Sequence, residues 1–153
     1  MTINNNINPL YIIESNSVES IDNKSCVYIW NGHEKNDKYI SISSRLEDNS
    51  DKIKKKYIKF IHDLGEEKID NKNLKSHLKI KENYNLWWMS LLTEKSHYKS
   101  PRIKDCLKFL VLEEIILEKK PSKIIVLLSD KIIIRSIKEL SKKLNIKIEI
   151  KKI

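Results

Sequence analysis

The stretch 123–150, KIIVLLSDKIIIRSIKELSKKLNIKIEI, decides the fold. It opens on Lys123-Ile124-Ile125-Val126-Leu127-Leu128, a continuous apolar run. A strand with one wet face alternates; a run like this belongs to a strand covered on both faces, and such strands are usually parallel. Ser129-Asp130 can cap a following helix, whose Ile133, Ile137, Leu140 and Leu144 recur at helical spacing as one buried stripe. Ile146-Lys147-Ile148-Glu149-Ile150 then alternates with period two. This strand–helix–strand unit predicts 124–128 parallel to 146–150, with helix 131–144 on one face of the sheet and a right-handed crossover.

Working outward, Leu10–Glu14 and Cys26–Trp30 read as strands, and Lys38–Ile42 as a third. Asn31-Gly32 opens the connection between the last two, which permits a hairpin. Ile53, Tyr57, Phe60, Ile61 and Leu64 mark an amphipathic helix, with Ser50 as its cap, Asp51 in its first turn and Gly65 at a left-handed end. Residues 66–84 have no clear period, although Leu74 and Leu78 fit a short helix; Leu86–Glu94 reads as a half-buried helix. Ser100-Pro101 starts a helix over 102–118 that is apolar around most of its girth, and Pro121 stops it. The sum is an α/β domain, Rossmann-like and three-layered, with a mostly parallel sheet of about five strands. It fills residues 10–153 as a single domain behind a loose, Asn-rich start at 1–9. The chain stops three residues after its last strand, and a sheet ending so abruptly reads as a half-molecule or as the first domain of something longer.

Composition excludes several classes. Two glycines in 153 residues leave no room for a Gly-rich phosphate loop, so no nucleotide cofactor is expected. No apolar run approaches the ~20 residues of a membrane span, and the first eight residues lack a signal pattern. Two cysteines and four scattered histidines offer no metal-ligand spacing, so no metal is expected. The net charge of +9 is unevenly placed: residues 1–51 carry four basic against eight acidic groups, residues 52–153 carry 26 against 13. An anionic partner would meet the second part. Only three of the 30 basic residues are arginine, and alanine and glutamine are absent, which fits an A/T-biased coding sequence more than selection for base contacts.

The unusual segment is 85–101, NLWWMSLLTEKSHYKSP. Adjacent helical positions point about 100° apart, so Trp87 and Trp88 must meet different surroundings. One is expected in the core and the other beside Glu94 or Lys95 at a cleft, where a tryptophan face suits the apolar face of a sugar ring. The plainer reading is two core tryptophans and a surface Glu-Lys pair.

Leu-Trp-Trp-Met-Ser, then Glu-Lys-Ser, then Lys-Ser-Pro before a long apolar helix resembles a family of bacterial surface carbohydrate (O-antigen type) biosynthesis proteins, which are glycosyltransferase-like. The resemblance covers roughly residues 72–150 and includes the Ser129-Asp130-Lys131 turn. It implies a cytoplasmic protein of two Rossmann-like halves, as in GT-B-type glycosyltransferases, of which this chain is the N-terminal, acceptor-side half. The implied partners are a sugar or glycan acceptor and, through a missing C-terminal half, a nucleotide-sugar. That incompleteness puts activity of this chain alone in doubt. The family's motif falls on Trp87, Trp88, Ser90, Glu94, Lys95 and Ser100. Glu94 is then the candidate catalytic base or sugar-hydroxyl ligand, and Lys95 the candidate partner of an acidic sugar or phosphate. Trp87, Trp88, Ser90 and Ser100 become candidate substrate contacts. Ser129 and Asp130 join them because ligands of open α/β sheets bind at the carboxyl ends of strands, although an ordinary helix cap explains the same pair. Glu14-Ser15 ends the first strand and could line the same crevice. The rival from another class is a non-catalytic basic α/β domain that binds nucleic acid through 52–153; the shortage of arginine counts against it.

Overall fold

The structure, a computed structural model, describes residues 9–14, 26–33, 39–93 and 99–151. Its elements are, in chain order, β1 (Leu10–Ile13), β2 (Cys26–Ile29), β3 (Ile40–Ser41), α1 (Ile42–Asp48), α2 (Ser50–Glu66), β4 (Lys68–Ile69), β5 (Lys72–Asn73), α3 (Leu74–His77), β6 (Lys79–Lys81), β7 (Tyr84–Asn85), α4 (Leu86–Met89), α5 (Pro101–Lys119), β8 (Lys123–Leu127), α6 (Lys131–Lys143) and β9 (Lys147–Ile150). They fall into two units, one made of residues 1–48 with 111–153 and the other of 49–110.

The first unit holds a five-stranded sheet, order β3-β2-β1-β8-β9, parallel throughout. Ile124, Ile125 and Val126 of β8 are all buried. Consecutive strand residues point to opposite faces, so both faces of β8 are covered, as the apolar run requires. β8 and β9 pair in parallel from Lys123↔Lys147 to Val126↔Ile150, joined by α6, whose Ile133, Ile137 and Leu140 are buried. Val111, Leu112, Ile115 and Ile116 are the buried positions of α5 within this unit. Fold class, sheet composition and the 123–150 unit therefore agree with the sequence reading: this is an α/β, Rossmann-like domain.

Local details differ. β2 and β3 do not form a hairpin; they pair in parallel, Tyr28↔Ile40 and Ile29↔Ser41. Asn31-Gly32 serves instead to leave β2. Gly32 takes a φ of 135°, open to a residue without a Cβ, and its carbonyl accepts the Ser41 hydroxyl at 2.5 Å. β3 is only two residues long because Ile42 already begins α1, where Ser41 Oγ accepts the Ser44 N–H at 3.1 Å. Gly65 is not a left-handed cap but lies inside α2. With so few glycines, non-glycine residues take the left-handed turns. Lys120 follows α5 at φ 46° and Asn145 follows α6 at φ 54°.

The second unit explains the silence of 66–84. Two tight antiparallel hairpins, β4–β5 and β6–β7, flank the single turn of α3. Asp70 and Asn71 form the first hairpin's turn at φ 47° and 66°, the doubly left-handed geometry of a two-residue β-turn. Strands of two or three residues are too short to show a period.

Candidate functional site

The strand order reverses between β1 and β8, and that reversal is where open parallel sheets bind ligands, beyond the carboxyl ends of the strands. Glu14, the residue after β1, meets Ser129 there. The Ser129 N–H donates to Glu14 Oε2 at 3.0 Å and its hydroxyl donates to Oε1 at 2.7 Å. The Glu14 N–H itself donates to the Leu127 carbonyl at 3.0 Å, so β1–β8 pairing continues into the site and fixes the carboxylate. An ionised carboxylate has about four acceptor positions, and among the described residues Ser129 fills two of them. Asp130 Oδ1 accepts the N–H groups of Ile132 and Ile133 at 2.8 and 3.2 Å. It caps α6, the plainer of the two roles read for it, and with Glu14 it makes this helix start acidic.

Beside the reversal, the ends of β2 and β3 carry hydroxyls that the sequence reading passed over. Ser41, Ser43 and Ser44 are buried. The Ser44 hydroxyl donates to the His33 carbonyl at 3.0 Å, and His33 Nδ1 lies 3.1 Å from Glu47 Oε1. Ser43 Oγ and Tyr28 Oη are buried and have no hydrogen-bond partner among the described residues. Burial pushes the Tyr28 hydroxyl pKa up, with Arg45 pulling the other way. Arg45 in turn pairs with Glu118 of α5. The run Ser41-Ile42-Ser43-Ser44 was the available signal: three hydroxyls just after a strand at a helix start.

In the second unit the paired tryptophans separate as expected. Trp87 is 1% exposed and Trp88 67%. Trp87 is held by its neighbours: Asn85 Oδ1 accepts its N–H at 2.9 Å, and a Cβ placed on Gly65 would come within 2.8 Å of its ring. That close approach, not a helix end, is why position 65 is glycine. The Lys75 ammonium stands 5.6 Å from the centre of the Trp88 ring, a cation–π arrangement. The expected helix to Glu94 stops at Met89. Ser90 turns extended, and its hydroxyl bonds back to the Trp87 carbonyl at 2.7 Å, ending the helix after one turn. Ser90 is half-buried and Ser100, before Pro101, is buried. Glu94 and Lys95 lie outside the described residues, as does His97.

Among the described residues no group of three or more His, Cys, Asp or Glu is arranged to hold a metal ion, and no helix is long and apolar enough to cross a membrane. Burial raises the Cys106 thiol pKa and lowers that of the Lys108 ammonium, both on α5. Comparison with protein-family models, curated proteins and solved structures finds no match in any of the three.

Proposed function

We propose that the chain is the acceptor-side half of a glycosyltransferase-like protein of bacterial surface polysaccharide biosynthesis, working in the cytoplasm. One observation supports this reading most: the Glu14 carboxylate, fixed by Ser129 at the strand reversal of a parallel sheet. A carboxylate suits the hydroxyls of a sugar, and two neighbouring carboxylates disfavour an anion there. In the reaction an acceptor hydroxyl oxygen bonds to the anomeric carbon of the nucleotide-sugar, the bond from that carbon to the phosphate oxygen breaks and the nucleoside diphosphate leaves, and the hydroxyl proton passes to a base. Glu94 is the base in this reading, and Lys95 pairs with an acidic sugar or phosphate.

The test is saturation-transfer NMR of the full chain against a panel of sugars, oligosaccharides and nucleotide-sugars, with complementation of a surface-polysaccharide defect beside it. Binding of a sugar, weakened about tenfold or more in Glu14→Gln, is expected from the loss of a charged hydrogen bond. Glu94→Gln should fold normally and fail to complement. No sugar binding, or binding indifferent to Glu14→Gln, removes the reading; full complementation by Glu94→Gln removes Glu94 as base.

A further inference from the structure

Helix α6 carries Lys131, Arg135, Lys138, Lys142 and Lys143 against one acidic residue, Glu139, and all six are exposed. Lys131, Arg135, Lys138 and Lys142 follow one another at spacings of four, three and four. They form a single line about 16 Å long, on the side of the helix opposite the buried Ile133, Ile137 and Leu140. Other helices pair such charges: Lys59 with Asp63 on α2, Arg102 with Asp105 and Lys119 with Glu118 on α5. Among the described residues no ion pair engages the five cations of α6. Asp130 caps α6 and Glu14 is held by Ser129, so both acids stand at the N-terminal end of the helix, and Glu149 pairs with Lys123. The positive excess therefore lies toward the other end, where residues 135–147 hold five basic side chains and one acidic. Helix stability does not explain the line. Like charges three and four positions apart repel on a helix surface, and Lys131 lies at the positive end of the macrodipole.

We propose that this line binds the phosphate backbone of a nucleic-acid duplex without regard to sequence. Cations in file along one helix meet phosphates in file along one strand, and each contact releases condensed counterions. The make-up of the face chooses the occupant. Four of the five cations are lysine, point charges that neutralise phosphate without the planar fork that reads a base edge. No aromatic residue lies on α6, which leaves a single strand nothing to stack on. Ile132 is the one large apolar side chain of α6 that is exposed, too little to enter a membrane. The binding is separate from the sugar reading of Glu14, which stands or falls without it.

Fluorescence anisotropy of a labelled duplex of mixed sequence, titrated with the full chain between about 50 and about 200 mM salt, tests the proposal. Four phosphate contacts predict that log K falls with log salt at a slope of roughly −3.6, with micromolar or weaker affinity. Arg135→Gln with Lys138→Gln should bring that slope to about −1.8 and weaken binding about tenfold or more at the low-salt end. Glutamine is a good helix former and both sites are exposed, so the unfolding midpoint should match the parent. Lys54→Gln with Lys55→Gln removes the same charge from the exposed face of α2 and should leave the slope unchanged. The proposal is overturned by any of four results: no duplex binding, an equal loss in the two double variants, tighter binding to a single strand than to the duplex, or polygalacturonate displacing the labelled duplex better than unlabelled duplex does at equal charge. The last result would assign the line to an acidic glycan instead.

Discussion

Gly65→Ala offers a sharp check on the second unit, because two large effects oppose each other. In an unconstrained helix the change stabilises by up to about 1 kcal/mol, since alanine loses less backbone entropy than glycine. Gly65 lies in the last turn of α2 without a positive φ, so the backbone itself permits alanine. The new methyl would lie 2.5 Å from Lys75 Cε, 2.8 Å from Trp87 Cζ2 and 3.1 Å from Trp87 Cε2. Carbon atoms prefer roughly 3.5–4.0 Å. The lysine end can swing aside, at the expense of its 2.5 Å contact with Glu66 Oε1. The indole cannot, because its surroundings are closed, and forced repacking of that kind costs about 1–3 kcal/mol. The net expectation is a destabilisation of about 1–2 kcal/mol. Trp87→Phe removes the crowding ring atoms, so the double variant should be more stable than the sum of the single changes by about 1 kcal/mol or more. Urea unfolding followed by far-UV circular dichroism measures this, comparing midpoints at constant slope. A more stable Gly65→Ala protein, or strict additivity of the two changes, refutes the close approach of Trp87 to α2.

Trp87→Ala should cost about 3–5 kcal/mol and Trp88→Ala less than about 0.5 kcal/mol, read as thermal unfolding midpoints of the two variants. Asp130→Ala should cost about 1 kcal/mol, since it frees the N–H groups of Ile132 and Ile133, while Asp130→Asn should retain most of the stability. The hydrogen bond from Arg45, with a second from Lys119, holds the Glu118 carboxyl pKa below its ordinary value of 4.5. A lowered acid contributes stability that is present above the ordinary value and lost as pH falls through the lowered one. Arg45→Gln should therefore return the Glu118 carbon resonance toward the ordinary carboxylate range in an NMR titration and flatten the acid side of the stability profile.

The 123–150 stretch was legible because its signals are local and strong. An unbroken apolar strand, a single-stripe helix and an alternating strand each bury what their period says they should. The same locality let Trp87 and Trp88 be separated, since neighbours in one helical turn cannot share a surface. The candidate site was legible in part: Ser129 and Glu14 follow from being strand ends, but their hydrogen bonds depend on β1 and β8 being neighbours, and the two residues stand 115 positions apart in the chain. That pairing is a property of the assembled sheet. So is the parallel course of β3, where a loop compatible with a hairpin was overruled by register with β2. Gly65 shows the limit most plainly. Within the sequence it is a helix-ending residue. Only the approach of an indole from 22 positions further on makes its missing side chain a matter of space, because packing distances are fixed by neighbours that the chain order does not name.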